Sequence, residues 1–94
     1  MPTATYNGTV IAESPDTEVV EGNHYFPPSS LKTEYFSETD HATVCPWKGT
    51  ASYYTITVDG TSETNAAWTY RDPKDAAAEI KDHVAFYPSV EISD

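Results

Sequence analysis

ASYYTITVDGTSETNAAWTY, residues 51–70, decides how the rest of the chain is read. Ala51 to Val58 is a run of β-branched and aromatic residues, the composition of a strand. Asp59-Gly60 is a two-residue turn signal that tolerates positive φ, and Ala66 to Tyr70 resumes as the returning strand. Side chains alternate along a strand. Tyr54, Ile56 and Val58 therefore share one face, and Tyr53, Thr55 and Thr57 the other. The threonines mark that second face as partly solvated, and Tyr53 stands out on it.

The same grammar extends towards the N-terminus. Asn7-Gly8 separates Ala4–Tyr6 from Thr9–Glu13, and Ser14-Pro15-Asp16 is a further turn. Thr17–Val20 and His24–Phe26 flank Glu21-Gly22-Asn23. Pro27-Pro28 ends pairing, because neither residue offers an N–H. Ser29-Ser30 opens a single helical turn carrying Leu31, and Ser37–Asp40 reads as a polar loop before a strand at Thr43–Cys45. Beyond the central hairpin, Asp72 has the chemistry of an N-cap, Pro73 of the first helical position, and Asp75 stands where a capping box has its acid. Ala76, Ala77, Ile80 and Val84 mark an apolar face. Val84–Tyr87 returns as a strand, and Pro88 stops it.

Strands first and one helix late predict the α+β class. The expected architecture is strand-dominated: antiparallel β-hairpins in a small two-sheet sandwich or partly open barrel, with one main α-helix at about 73–83. A single domain over 1–94 is expected, with its core over about 4–88 and a frayed tail at 89–94.

Composition narrows the function classes. Two Trp, seven Tyr and three Phe supply much of the core, beside a single Leu, Leu31. Five basic residues face fifteen acidic ones, for a formal charge of −10. Lys32, Lys48, Arg71, Lys74 and Lys81 are scattered, whereas a nucleic-acid surface needs clustered cations, so no nucleic acid is expected as partner. No apolar stretch approaches the roughly 20 residues that span a bilayer, and the opening MPTATYNGTV is not of signal-peptide form. No membrane partner is expected, and the expected compartment is the cytoplasm. Acid-rich, lysine-poor composition suits a salty cytoplasm, where screening removes self-repulsion; the alternative is an ordinary acidic protein. The single cysteine excludes an internal disulfide framework and a Cys-rich zinc site.

That cysteine lies in CPWKG, residues 45–49, beside a tryptophan and one of the five cations. Pro46 drives Cys45 out of the α region, and Gly49 can take positive φ to close a hairpin with a bulge. Such a turn aims Trp47 and Lys48 outward at the rim of the sheet. A thiol beside an ammonium is a candidate nucleophile; a buried, inert cysteine at a strand end is the simpler reading. Lys48 suits an anion anchor or a cation–π partner. Glu21, His24 and Tyr25 place a carboxylate, an imidazole and a phenol beside a rigid diproline, and a general acid–base role there needs a buried Glu21. His24, His41, His83 and Cys45 have no metal-ligand spacing, so no metal and no cofactor are expected.

EGNHYFPP (21–28), CPWKGTASYY (45–54), AWTY (67–70) with Pro73, then Ile80 and VAFY (84–87) together resemble a small bacterial and archaeal family called domain of unknown function 427. The resemblance runs from about Gly8 to Pro88. It implies a small β-rich fold and a shared surface, not a reaction. A nucleotidyltransferase-like label sometimes attached to the family finds no support in these residues. There is no Gly-rich phosphate loop and no D-x-D pair, and Asp72 and Asp75 read as helix caps.

Three functions are consistent with these residues. The leading expectation is a ligand-binding or interaction module with an aromatic pocket, its candidate residues being Glu21, His24, Tyr25, Cys45, Trp47, Lys48, Tyr54, Trp68 and Tyr70. The second is a small enzyme using Glu21 and His24, or Cys45 with Lys48. The third is a structural partner acting as monomer or homodimer. The expected partner is an unidentified small molecule or a protein.

Overall fold

A computed structural model describes residues 1–94. The central hairpin is present and longer than the sequence implies. Strand β6 runs Gly49–Val58 and β7 runs Thr61–Thr69, with β5 at Phe36–Cys45 on one side and β8 at Val84–Phe86 on the other, all antiparallel. A second sheet orders β2 (Thr9–Glu13), β1 (Thr3–Tyr6) and β9 (Glu91–Ser93), and a third is the hairpin of β3 (Glu18–Val20) with β4 (Asn23–Tyr25). There are thus three sheets and no closed barrel, rather than two stacked sheets. Phe26 continues β4 against β8, exchanging backbone hydrogen bonds with Val84 at 2.8 and 2.9 Å, and so joins the small hairpin to the large sheet.

The centre of the large sheet is buried on both faces. Ile56, Val58, Val84 and Phe86 join Ala4, Tyr6, Ile11, Ala12 and Phe26 in one apolar cluster. Ala51, Tyr53 and Ala85 join Tyr25, Tyr70, Ala77 and Ile80 in the other. The two sets on β6 follow the alternation of the strand, as its sequence indicates. The second face is solvated only in part, because Tyr25 and the 75–80 segment cover Tyr53 and Ala51.

Three two-residue turns have positive φ at both positions: Asn7-Gly8 (50° and 78°), Glu21-Gly22 (54° and 80°) and Asp59-Gly60 (50° and 79°). This is the type I′ signature, whose twist matches that of the flanking strands. Asn and Asp are at home there. Glu21 is not, since a long side chain seldom adopts left-handed backbone.

Several expectations are corrected. No α-helix forms over 73–83. Asp75–Ile80 is a 3₁₀ segment broken at Ala77 (φ −124°, ψ 23°), and Asp72 caps nothing; the capping position is Lys74, without a side-chain bond. A straight helix over those residues would carry the chain roughly 15 Å along its axis. Here the chain must return within it, because Lys81 bridges Tyr70 and the Asp82 N–H donates to the Tyr70 carbonyl at 3.0 Å. Ala77 and Ile80, three apart, are its buried side chains, which suits a three-residue period. Ser37–Asp40 is part of strand β5 and not a loop. Its side chains are mostly exposed because β5 lies at the sheet edge, so no apolar alternation announces it. The segment expected to be a frayed tail carries strand β9, in which Glu91, Ile92 and Ser93 pair with Thr5, Ala4 and Thr3 of β1.

Two irregularities flank the middle of β6: β5 is bulged at Thr39–His41, opposite Tyr53, and β7 at Thr64–Ala66, opposite Thr55. Asn65 takes φ 54° in the second and accepts a 2.7 Å hydrogen bond from Thr39 Oγ1. The extra residues increase local twist.

Gly49, with φ 112°, closes the turn between β5 and β6, and a Cβ there would stand 3.4 Å from the Asp72 carbonyl oxygen. Gly49→Ala is expected to destabilise the chain by about 1–3 kcal/mol through backbone strain. Urea unfolding measures this, and an unchanged midpoint would show that the turn does not need the glycine.

Candidate functional site

Cys45 pairs with Gly49, so Pro46, Trp47 and Lys48 form a three-residue loop at one end of the large sheet. The segment that follows Tyr70 tacks this loop down. The Lys74 N–H donates to the Lys48 carbonyl at 2.9 Å, and Lys74 Nζ donates to the Pro46 carbonyl at 2.7 Å. Lys74 was not apparent as a positioning residue, because nothing local in Asp72–Asp75 points to a loop distant in the chain.

Held in this way, Lys48 does not point outward. Its side chain is 8% exposed, and its ammonium donates to Glu21 Oε1. Nζ lies 5.0 Å from the Trp47 ring centroid and 5.7 Å from that of Tyr70. Burial alone favours the neutral amine, but the Glu21 hydrogen bond and the nearby phenol oxygens of Tyr25 and Tyr70 outweigh it and raise the Lys48 pKa. Glu21 reaches the ammonium from the tip of the β3–β4 hairpin and stays 53% exposed. Trp47 covers the ammonium and is 39% exposed itself.

Tyr25 and Tyr70 form the floor. Burial raises both phenol pKa values, against the partial opposition of Lys48. Trp68 Nε1 donates to the Tyr25 hydroxyl at 3.1 Å, the two rings meeting edge to face at 6.2 Å. No buried side-chain polar atom lacks a partner. Cys45 is half-buried against the same cluster. Partial desolvation works against its thiolate, yet hydrogen bonds from the backbone N–H groups of Trp47 and Lys48, with the Lys48 charge, lower the thiol pKa.

Seven of the nine candidates therefore converge: Glu21, Tyr25, Cys45, Trp47, Lys48, Trp68 and Tyr70. Two lie elsewhere. His24 pairs through Nδ1 with Thr17 Oγ1 at 2.9 Å across its hairpin. Tyr54 lies on the opposite face of β6, packed edge-on to Phe36, with Arg71 bonded to its hydroxyl at 3.2 Å and to Glu38 at 2.8 Å. The alternation in Ala51–Val58 already separates Tyr54 from Tyr53, so its place in one pocket with Trp68 conflicts with the strand period. The expected pocket is also corrected. The chain encloses no cavity, and the site is a filled surface in which Glu21 and Trp47 occupy the space over Lys48. No group of three His, Cys, Asp or Glu side chains converges anywhere.

Next to this centre lies a second polar cluster that the sequence did not reveal as a unit. Thr43 Oγ1 is 2.8 Å from the Tyr53 hydroxyl, which is 3.5 Å from that of Tyr87. Tyr87 stacks on Tyr53 and tilts against Trp68, with centroids 6.4 and 4.7 Å apart, and His41 meets Tyr53 at 4.5 Å. The hydrogen bond with Tyr53, together with burial, pushes the Tyr87 pKa up to about 12.

The fold and this site together define the class of the chain. Its class is a small, strand-dominated antiparallel fold with a cationic aromatic turn at one sheet end. It belongs to the family described as Domain of unknown function (DUF427), whose model matches residues 3–93. No curated protein matches it. No helix is long and apolar enough to cross a membrane.

The Tyr87 proton carries a linkage. A phenol pKa raised by folding adds stability that is complete below the unfolded value near 10 and is lost as pH rises towards about 12. Ultraviolet titration is expected to show a group of late-ionising phenols, Tyr25 and Tyr70 among them, from which Tyr87→Phe removes one. The assignment fails if the variant retains them all.

Proposed function

We propose that the chain is a ligand-binding module whose binding surface is the Cys45–Gly49 turn, the Glu21 tip and the phenols of Tyr25 and Tyr70. One observation carries this reading: an ammonium is buried where packing has no need of it. Desolvating a lysine costs several kcal/mol before any ion pair offsets it, and an apolar side chain of similar volume often serves stability as well or better. Lys48 is explained by recognition, with Trp47 as its exposed aromatic neighbour. The partner is a small molecule or the tip of a protein segment. The acidic surface and single thiol suit a cytoplasmic, salt-rich setting.

Lys48→Met tests the reading. Its urea stability is expected to stay within about 1 kcal/mol of wild type or to rise. In amide and indole NMR spectra, fragments that shift Trp47 in the wild type are expected to lose that effect in the variant. The reading fails if no fragment perturbs the turn, or if Lys48→Met responds as the wild type does.

A second reading is a small enzyme using the Cys45 thiol. It is favoured by the two N–H groups and the ammonium that lower the thiol pKa. Iodoacetamide at neutral pH is expected to alkylate native Cys45 faster than the same thiol in urea, and Lys48→Met is expected to slow the native reaction. A native rate no higher than the unfolded one removes thiol chemistry.

A further inference from the structure

The Glu21–Lys48 pair shows what kind of group the site takes. Glu21 supplies a carboxylate from an unfavourable backbone position: φ is 54° at a turn site that suits Asn, Asp or Gly. Turn geometry does not select Glu there. The two partners are also unequal, since the ammonium is almost wholly buried while the carboxylate stays more than half exposed on a two-residue hairpin tip. An exposed side chain leaves such a pair at small cost, because solvent recovers it; the buried partner then requires another anion.

Two phenols border the ammonium, Tyr25 wholly buried and Tyr70 nearly so. The Tyr25 oxygen accepts from Trp68, which leaves its own proton to donate. The Tyr70 ring centroid lies 5.7 Å from the ammonium. Both phenols are protonated at neutral pH, as any phenol is, and burial moves their ionisation further up. The ammonium already holds one carboxylate oxygen, that of Glu21, so another carboxylate can take the same place. Phosphate is matched less well: Lys74, the nearest other cation along the turn, is engaged with the Pro46 carbonyl, and a chain of net charge −10 penalises a dianion more than a monoanion. Trp47, partly exposed over the ammonium, offers a ring face to whatever carries the acid.

We infer that the site binds a monocarboxylate attached to a planar or apolar group, and that Glu21 is an internal stand-in which the ligand displaces from Lys48. The inference rests on the binding surface proposed above and names its ligand class. A free aromatic acid and the C-terminus of a peptide share this chemistry.

Glu21→Asn tests it, because Asn suits the turn and removes the stand-in. Benzoate, acetyl-Ala-Phe and inorganic phosphate are titrated at constant ionic strength against wild type and variant, with the Trp47 indole resonance as readout. At least one carboxylate is expected to bind the variant about tenfold more tightly, the gain when an internal competitor holding roughly nine-tenths of the sites is removed. Phosphate is expected to gain nothing, and adding Lys48→Met is expected to abolish binding. Binding of benzoate alone identifies a free acid, and of the peptide alone a chain terminus. Equal carboxylate binding by wild type and variant overturns the inference, as does a matching gain for phosphate. If uncharged fragments still shift the turn while both carboxylates fail, the ligand class is wrong and the surface stands. If nothing shifts the turn, the binding surface itself is wrong.

Discussion

The structure depends on β6 being buried on both faces. Ile56 and Val58 project into one apolar cluster, Ala51 and Tyr53 into the other. A chain of this length has few apolar side chains to spare, and a sheet covered on both sides needs two coverings. The β2–β1–β9 sheet supplies the first. Tyr25 and the 75–80 segment supply the second, with tyrosines taking the place of aliphatics. An aromatic covering brings hydroxyls into the interior, and those hydroxyls form the polar ground around Lys48.

The candidate site follows from that covering. Because the 75–80 segment must lie over Ala51 and Tyr53, Lys74 passes beside the Cys45–Gly49 turn and takes up its carbonyls. The turn is then held with Lys48 directed between Trp47 and Tyr70. The β3–β4 hairpin, joined to β8 through Phe26 and Val84, brings Glu21 to the same place. Three segments distant in the chain thus meet at one ammonium.

Much of the fold was legible. Asn7-Gly8 and Asp59-Gly60 are turn signals whose geometry admits few alternatives, and the alternation in Ala51–Val58 assigns its own faces. Strand β5 was hidden because an edge strand has solvent on both faces and needs no apolar period. The 73–83 segment misled for a different reason. Its local signals are those of a helix start, but pairing of Lys81 with Tyr70 and docking of Lys74 on the turn outweigh them, and local propensity is a weak prior against tertiary contacts. Strand β9 was invisible because Glu91–Ser93 has value only as a partner for β1.

By itself the sequence determined the antiparallel hairpins, the two faces of β6, the loop geometry imposed by Pro46 and Gly49, and membership of the family through the CPWKG stretch and its companions. These depend on neighbours in the chain: backbone sterics at Gly and Pro, and a side-chain period of two. Only the tertiary structure decided that Lys48 turns inward, that Glu21 is its partner, and that His24 and Tyr54 are not. Those facts depend on which distant segments share the limited space over one sheet end. A buried charge is settled by the groups that surround it, and in this chain they come from positions 21, 25, 47 and 70.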